Sequence, residues 1–155
     1  MDKRARIIVV DDDESIRKTL AAILEEEGYF VDTAESGKEA MLKTNSNFYN
    51  LALIDVRLLD MEGTTLLTRI KETVPRMRKI IITGYPTVHN AMEAVNRNAD
   101  AYLVKPFDVG KVLFVIREQL KKQEEEKRFS QQKVTEFIET QVRELNLETA
   151  DCDSK

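Results

Sequence analysis

The chain is poor in the residues that staple, anchor or punctuate small proteins. It has 155 residues with one cysteine, no tryptophan, one histidine, three prolines and five glycines. The lone Cys152 excludes a disulfide framework and makes a reducing, cytoplasmic setting the expectation. No apolar run is long enough to span a bilayer. The N-terminal MDKRARIIVV meets three aspartates instead of a long apolar region and a small-residue cleavage site, so neither export nor membrane insertion is expected. A basic excess is missing as well: net charge is −4, and the stretch from Arg117 onward holds 8 basic and 10 acidic side chains, so neither part is a nucleic-acid-binding arm. Lys3, Arg4 and Arg6 read as a solvated lead-in to the first strand.

What is present is an alternation of apolar β-branched runs with helix-period stretches. Strands are expected at Arg6–Val10, Tyr29–Ala34, Leu51–Asp55, Lys79–Thr83 and Ala101–Val104. The first helix spans Glu14–Glu27, with Asp13 as its N-cap, Ile16, Leu20, Ile23 and Leu24 on one face, and Gly28 just past its end. Ser36 caps a second helix through Lys43. The third, Gly63–Val74, turns Leu66, Leu67, Ile70 and Val74 inward. Pro86 suits the first turn of the fourth, with Val88, Ala91, Met92 and Val95 as its buried stripe. The fifth runs from Phe107. Five such units imply an α/β fold with a parallel sheet covered on both faces.

Polar residues close four of the five strands: Asp11 and Asp12, then Asp55, Thr83 and Lys105. Asp11 and Asp55 are 44 positions apart, Asp55 and Thr83 are 28 apart, and Thr83 and Lys105 are 22 apart. These spacings correspond to whole βα units, so all these residues fall on one edge of a parallel sheet, where ligands of such folds bind. Each alone has a plain structural explanation. Paired aspartates often serve turns, Thr83 suits a strand, and Lys105-Pro106 suits a turn. Together they form a chemical set. Three converging carboxylates repel, and a hard divalent cation, Mg²⁺ or Mn²⁺, relieves that repulsion. With Lys105 as a point charge and Thr83 as a hydroxyl donor, the set suits a phosphoryl group.

The segments VVDDDES, LALIDVRLLDMEG, IIITGYP and ADAYLVKPFD resemble the receiver domains of two-component response regulators over residues 5 to about 120. The resemblance implies a flavodoxin-like three-layer sandwich with strand order 2-1-3-4-5, a domain over 1–120 and a helical extension over 121–155. It implies Asp55 as phosphoacceptor, with Mg²⁺ held by Asp12, Asp55 and the Arg57 carbonyl, and by Asp11 through water. It further implies Lys105 as the phosphoryl partner, Thr83 and Tyr102 as a switch pair, and a cis bond before Pro106. The implied donor is a sensor histidine kinase or phosphotransfer protein, and the output is a change in the face formed by helix 4, strand 5 and helix 5.

Three departures stand out. Leu59 replaces a usual proline. Asn98 replaces a usual glycine, and asparagine tolerates left-handed geometry. Arg57 and Tyr85 are large, and are expected to crowd the attacking water and slow loss of the phosphoryl group. His89 lies outside the apolar stripe and reads as a surface residue. Val134, Phe137, Ile138, Val142 and Leu145 form a helical stripe in the extension, expected to fold back, to fray, or to serve self-association or partner binding. The motifs and trailing helix are most similar to receivers of enhancer-binding regulators, but the 155 residues contain no Walker A motif. Two rivals are a constitutive interaction module, which needs a broken pocket, and a haloacid-dehalogenase-type phosphohydrolase, which needs an aspartate where Arg57 stands.

Overall fold

The computed structural model describes residues 4–153, with side-chain surroundings for 4–147. Lys3 and the side chain of Cys152 lie outside the described residues. Two compact units are present, Met1–Gln123 and Glu124–Lys155. The first holds strands β1 (Arg6–Val10), β2 (Phe30–Ala34), β3 (Leu51–Asp55), β4 (Arg78–Thr83) and β5 (Ala101–Val104). They alternate with helices α1 (Glu14–Glu26), α2 (Gly37–Ser46), α3 (Gly63–Arg69) and α4 (Val88–Asn96), and α5 (Val109–Asp153) closes the order. All pairings are parallel, in the order β2-β1-β3-β4-β5. This is the flavodoxin-like arrangement that the family resemblance implies.

Successive strand residues point to opposite faces, and the core divides accordingly. Ile8, Val10, Ala52, Ile54 and Ile81 pack with α2, α3 and α4 through Ala40, Leu66, Leu67 and Ala94. Ile7, Val9, Leu51, Leu53, Ile80 and Ile82 pack with α1 and α5 through Leu20, Leu24, Val112 and Ile116. Local signals set the boundaries. The side chains of Asp13, Ser36 and Thr87 cap α1, α2 and α4. Gly28 takes φ 95° after α1, and Asn98 takes φ 66° before β5, the left-handed geometry expected of it. Lys105–Pro106 is cis, as is Val74–Pro75.

Several expectations need correction. α3 ends at Arg69, and Val74 is 98% exposed instead of inward, because Pro75 follows and disfavours helix at the residue before it. α2 runs on to Ser46, past Lys43. Pro86 precedes the Thr87 cap instead of entering α4, and Phe107 precedes α5. The largest correction concerns α4: Val88, Met92 and Val95 are exposed, and Ala94 is its buried residue. α4 meets the core through the small Ala94, and its apolar stripe faces outward. Arg6 is no solvated lead-in either. It opens β1, and its guanidinium lies 5.2 Å from the Phe30 ring centroid and 5.6 Å from that of Tyr49.

At the edge opposite the five strand-end residues, Asp100 gathers the start of β4. Arg76 Nη2 approaches it at 2.7 Å, Arg78 Nη1 at 3.2 Å, and the Lys79 N–H donates to it at 2.9 Å. Burial opposes its charge, but the Arg76 and Lys79 hydrogen bonds and the arginine charges outweigh that and hold its carboxyl below the ordinary value. Its stabilisation is therefore full above the unfolded carboxylate value of about 3.9 and disappears as pH falls through the lower folded one. Asp100→Ala is expected to cost about 3 kcal/mol at neutral pH, since it removes one side of a mostly buried ion pair. Urea denaturation would measure it, and the deficit should close in strong acid.

In the second unit the chain is helical to Asp153, the helical extension expected from the resemblance. Val134, Phe137, Ile138, Val142 and Leu145 are all at least half exposed. No helix among the described residues is long and apolar enough to cross a membrane.

Candidate functional site

β1 and β3 are neighbours, while the chain leaves β1 for β2 on the other side. That divergence opens a crevice beyond their carboxyl ends. Asp11 and Asp12 follow β1 into it, and Asp55 is the last residue of β3. Thr83 ends β4, and Lys105 follows β5. The structure thus brings all the strand-end residues together around a cavity of about 390 Å³, lined by Asp11, Asp12, Asp55, Thr83 and Lys105, with Arg57 and Tyr85 beside them.

Asp11 is 2% exposed and firmly held. Its Oδ1 accepts the Asp13 N–H at 2.9 Å, and its backbone carbonyl accepts Arg17 Nη1 at 2.7 Å. Its Oδ2 accepts Lys105 Nζ at 3.0 Å. The same ammonium stands 3.4 Å from Asp55 Oδ2. Lys105 therefore sits between two carboxylates. Burial works against its charge, but Asp11 and Asp55 more than compensate, and its pKa lies above the ordinary value. Asp55 is pushed up to about 6, first by burial and then by the Asp11 charge, with Lys105 and the Arg57 N–H only partly offsetting them. The site thus holds more negative charge than its one lysine can neutralise.

That imbalance is the test of whether a cation fits. Asp11, Asp12 and Asp55 each offer a carboxylate oxygen, all within 4.8 Å of one another. Three hard oxygen donors around one point match Mg²⁺ or Mn²⁺, which bind through few carboxylates and retain waters for other ligands.

The supporting loops are less legible in sequence. Gly63, the first residue of α3, lies directly under the nucleophile candidate. Its N–H donates to the Val56 carbonyl at 2.6 Å, and a Cβ there would collide with the Asp55 carbonyl oxygen. Arg17 and Gly63 were not singled out as site residues by sequence reasoning. Only the DMEG segment following the acceptor strand hinted at the second. The Arg57 guanidinium lies 4.2 Å from the Tyr85 ring centroid, a cation–π contact beside the cavity.

Thr83 is buried, and its Oγ1 accepts the Tyr85 N–H at 2.9 Å. Tyr102 leans into the core on the α3–α4 side, and its buried hydroxyl has no hydrogen-bond partner among the described residues. His89 is exposed on α4 and away from the cavity, as expected.

Comparison with known proteins agrees with this geometry. The family model described as the response regulator receiver domain matches residues 7–117. The transcriptional regulatory protein ZraR of Klebsiella oxytoca is 38% identical over 114 residues, covering 74% of this chain and 26% of that protein. The alginate biosynthesis transcriptional regulatory protein AlgB of Pseudomonas aeruginosa is 36% identical over 105 residues, covering 68% and 23%. The chain thus spans about a quarter of the length of these curated relatives. A CheY-like receiver domain protein from Methanospirillum hungatei superposes with a TM-score of 0.77 at 43% identity, over 80% of this chain and 99% of that one. The beryllofluoride-activated NtrC4 receiver domain dimer superposes with a TM-score of 0.71 at 40% identity, over 76% and 98%.

Proposed function

The chain belongs to the response regulator receiver family, and from that premise we propose that Asp55 accepts a phosphoryl group from a histidine kinase or phosphotransfer protein. The observation that carries the proposal is the meeting of Asp55, Asp11, Asp12 and Lys105 in one cavity. An Asp55 oxygen attacks phosphorus in line, the bond from phosphorus to the donor nitrogen breaks, and the donor imidazole leaves. Such transfer needs positioning and charge stabilisation more than covalent help from the protein. Lys105, already beside Asp55, pairs with the incoming phosphoryl oxygens. Asp12, Asp55 and the Arg57 carbonyl are the proposed Mg²⁺ ligands, with Asp11 acting through water. The ion would supply charge neutralisation on the phosphoryl oxygens. Arg17 and the Asp13 N–H keep Asp11 in place.

The catalysis proposed is self-directed: phosphorylation of Asp55 and its slow reversal. In the output step, Thr83 releases the Tyr85 N–H to donate its hydroxyl to the phosphoryl group, and Tyr102 moves toward the vacated space. An unpartnered buried hydroxyl is costly, so Tyr102 gains by such a move. The covalent ligand biases a two-state equilibrium through these contacts. The result is a reshaped α4–β5–α5 face, where Val88, Met92 and Val95 are already exposed, as is Phe114 of α5. Self-association through that face or through the stripe of the second unit is the proposed readout, in a reducing cytoplasm.

The test is incubation with Mg²⁺ and a small phosphodonor such as acetyl phosphate. A stable mass gain located at Asp55 supports the receiver. No gain would leave an interaction module, and rapid multiple turnover would mean a hydrolase.

The Arg57–Tyr85 stack is expected to limit the water's approach to the acyl phosphate. The double variant Arg57→Ala, Tyr85→Ala should lose the phosphoryl group faster, by roughly threefold to tenfold, at most about 1.4 kcal/mol of barrier. Following the decay of labelled protein measures this. A slower decay in the double variant contradicts it.

A further inference from the structure

We propose that Asp60 is a positioning residue for the metal pocket, acting as a clamp that ties the β3–α3 loop to the start of α2. The proposal rests on the reading of Asp55 and the Arg57 carbonyl as metal ligands.

The loop from Val56 to Glu62 is closed at its base. Gly63 N–H donates to Val56 O at 2.6 Å, Arg57 and Glu62 form an antiparallel bridge, and Leu58 N–H donates to Met61 O at 3.1 Å. Its tip is open to solvent, with Leu59 83% exposed. Asp60 provides an outward anchor. Its Oδ1 accepts the Gly37 N–H and its Oδ2 the Lys38 N–H, each at 2.9 Å. These are the first two amides of α2. The third, Glu39 N–H, is taken by Ser36 Oγ at 3.1 Å, and Ala40 N–H by Ser36 O at 3.0 Å. Ala40 thus makes the first ordinary helical bond, and the three amides before it, which have no partner inside the helix, are shared between a local cap and a residue more than twenty positions away.

A carboxylate at a helix N-terminus also meets the positive end of the helix dipole. The Lys38 and Gly37 amides hold the Asp60 carboxyl below the ordinary value, so the clamp stays ionised at neutral pH. Met61 adds packing: a Cβ on Gly37 would run into its side chain, so the loop and helix are in close contact beside the clamp. α2 is itself fixed to the sheet through Ala40 and Thr44. The chain of contacts thus runs from the sheet through α2 and Asp60 to the loop that carries Arg57. Groups that orient metal ligands commonly change affinity by an order of magnitude when removed.

Ser36→Ala provides the discriminating control. It weakens α2 by losing its own cap but leaves the loop anchored. Mg²⁺ binding to the full chain is measured by calorimetry, with amide hydrogen exchange at Leu58 as a second readout, at a temperature where each variant is folded. Asp60→Ala should weaken Mg²⁺ about tenfold and speed exchange at Leu58. Ser36→Ala should lower the melting temperature and change neither readout. Asp60→Asn, which keeps one good acceptor, should fall between, and it decides the matter if the alanine variant does not fold. Unchanged Mg²⁺ affinity in the Asp60 variants, or equal weakening in Ser36→Ala, overturns the clamp while leaving the pocket reading intact. Failure of the wild-type chain to bind Mg²⁺ overturns the pocket reading, and the clamp with it.

Discussion

Gly63→Ala is expected to lower stability by about 3 kcal/mol and to slow phosphorylation of Asp55 by about a hundredfold. Ordinary helix propensity argues the other way, since alanine beats glycine inside a helix by about 1 kcal/mol. The backbone of β3 decides the sign. A Cβ at Gly63 would overlap the Asp55 carbonyl oxygen and stand 2.9 Å from its carbonyl carbon and 3.0 Å from Val56 Cα. None of these atoms belongs to a flexible side chain. They sit at the buried end of a strand hydrogen-bonded on both sides, so relief requires moving either α3 or the acceptor residue itself. Moving Asp55 disturbs its 3.4 Å approach to Lys105 and its place among the carboxylates. Gly110→Ala is the reference substitution, because there the added carbon meets nothing closer than an Asp108 carboxylate oxygen at 3.4 Å. Chemical denaturation and the rate of mass gain with acetyl phosphate measure the two effects. A Gly63→Ala protein as stable as the Gly110→Ala protein would refute the steric argument.

Gly63 also shows where the sequence stops being informative. The strands β1, β3 and β4 are readable because they are buried on both faces and nearly uniformly apolar, and the acidic and basic residues at their ends stand out against that background. Asp55, Asp11 and Lys105 were legible for this reason. Strand order is not encoded in any local pattern, and only the family resemblance supplied it. The stripe on α4 misled because periodicity reports an apolar face without saying what covers it; Val88, Met92 and Val95 face outward. Val74 misled because a helical pattern overran a following proline. Asp60 and Arg17 were invisible as supports, since a charged residue that hydrogen-bonds a distant backbone looks like any solvated one until the fold brings the backbone near. Arg6 is the same lesson for packing: its aromatic neighbours come from β2 and from the segment before β3.

Asp55→Asn is expected to make the metal-free protein more stable at pH 7.5, by about 2 kcal/mol, while abolishing phosphorylation. The carboxyl titrates near 6 in the folded chain because burial and the Asp11 charge oppose its ionisation. Between the unfolded value of about 3.9 and 6, the folded form binds the extra proton. Stability therefore falls as pH rises through that window and stays reduced above it. The full difference amounts to at most about 3 kcal/mol. An asparagine escapes this cost. Lys105 loses a partner at 3.4 Å but keeps the hydrogen bond to Asp11 at 3.0 Å, so no buried ammonium is left uncompensated. Urea denaturation in EDTA should show the gain at pH 7.5 and its disappearance toward pH 4. Adding Mg²⁺ should then stabilise the wild-type chain far more than the asparagine variant, because only the former offers the third carboxylate. An Asn variant less stable than wild type in EDTA at pH 7.5 would mean that the pocket is already balanced without a cation. On the proposed function, the carboxylate that would accept the phosphoryl group is thus the one that strains the metal-free site, and the same repulsion that costs folding energy would be relieved by a bound cation.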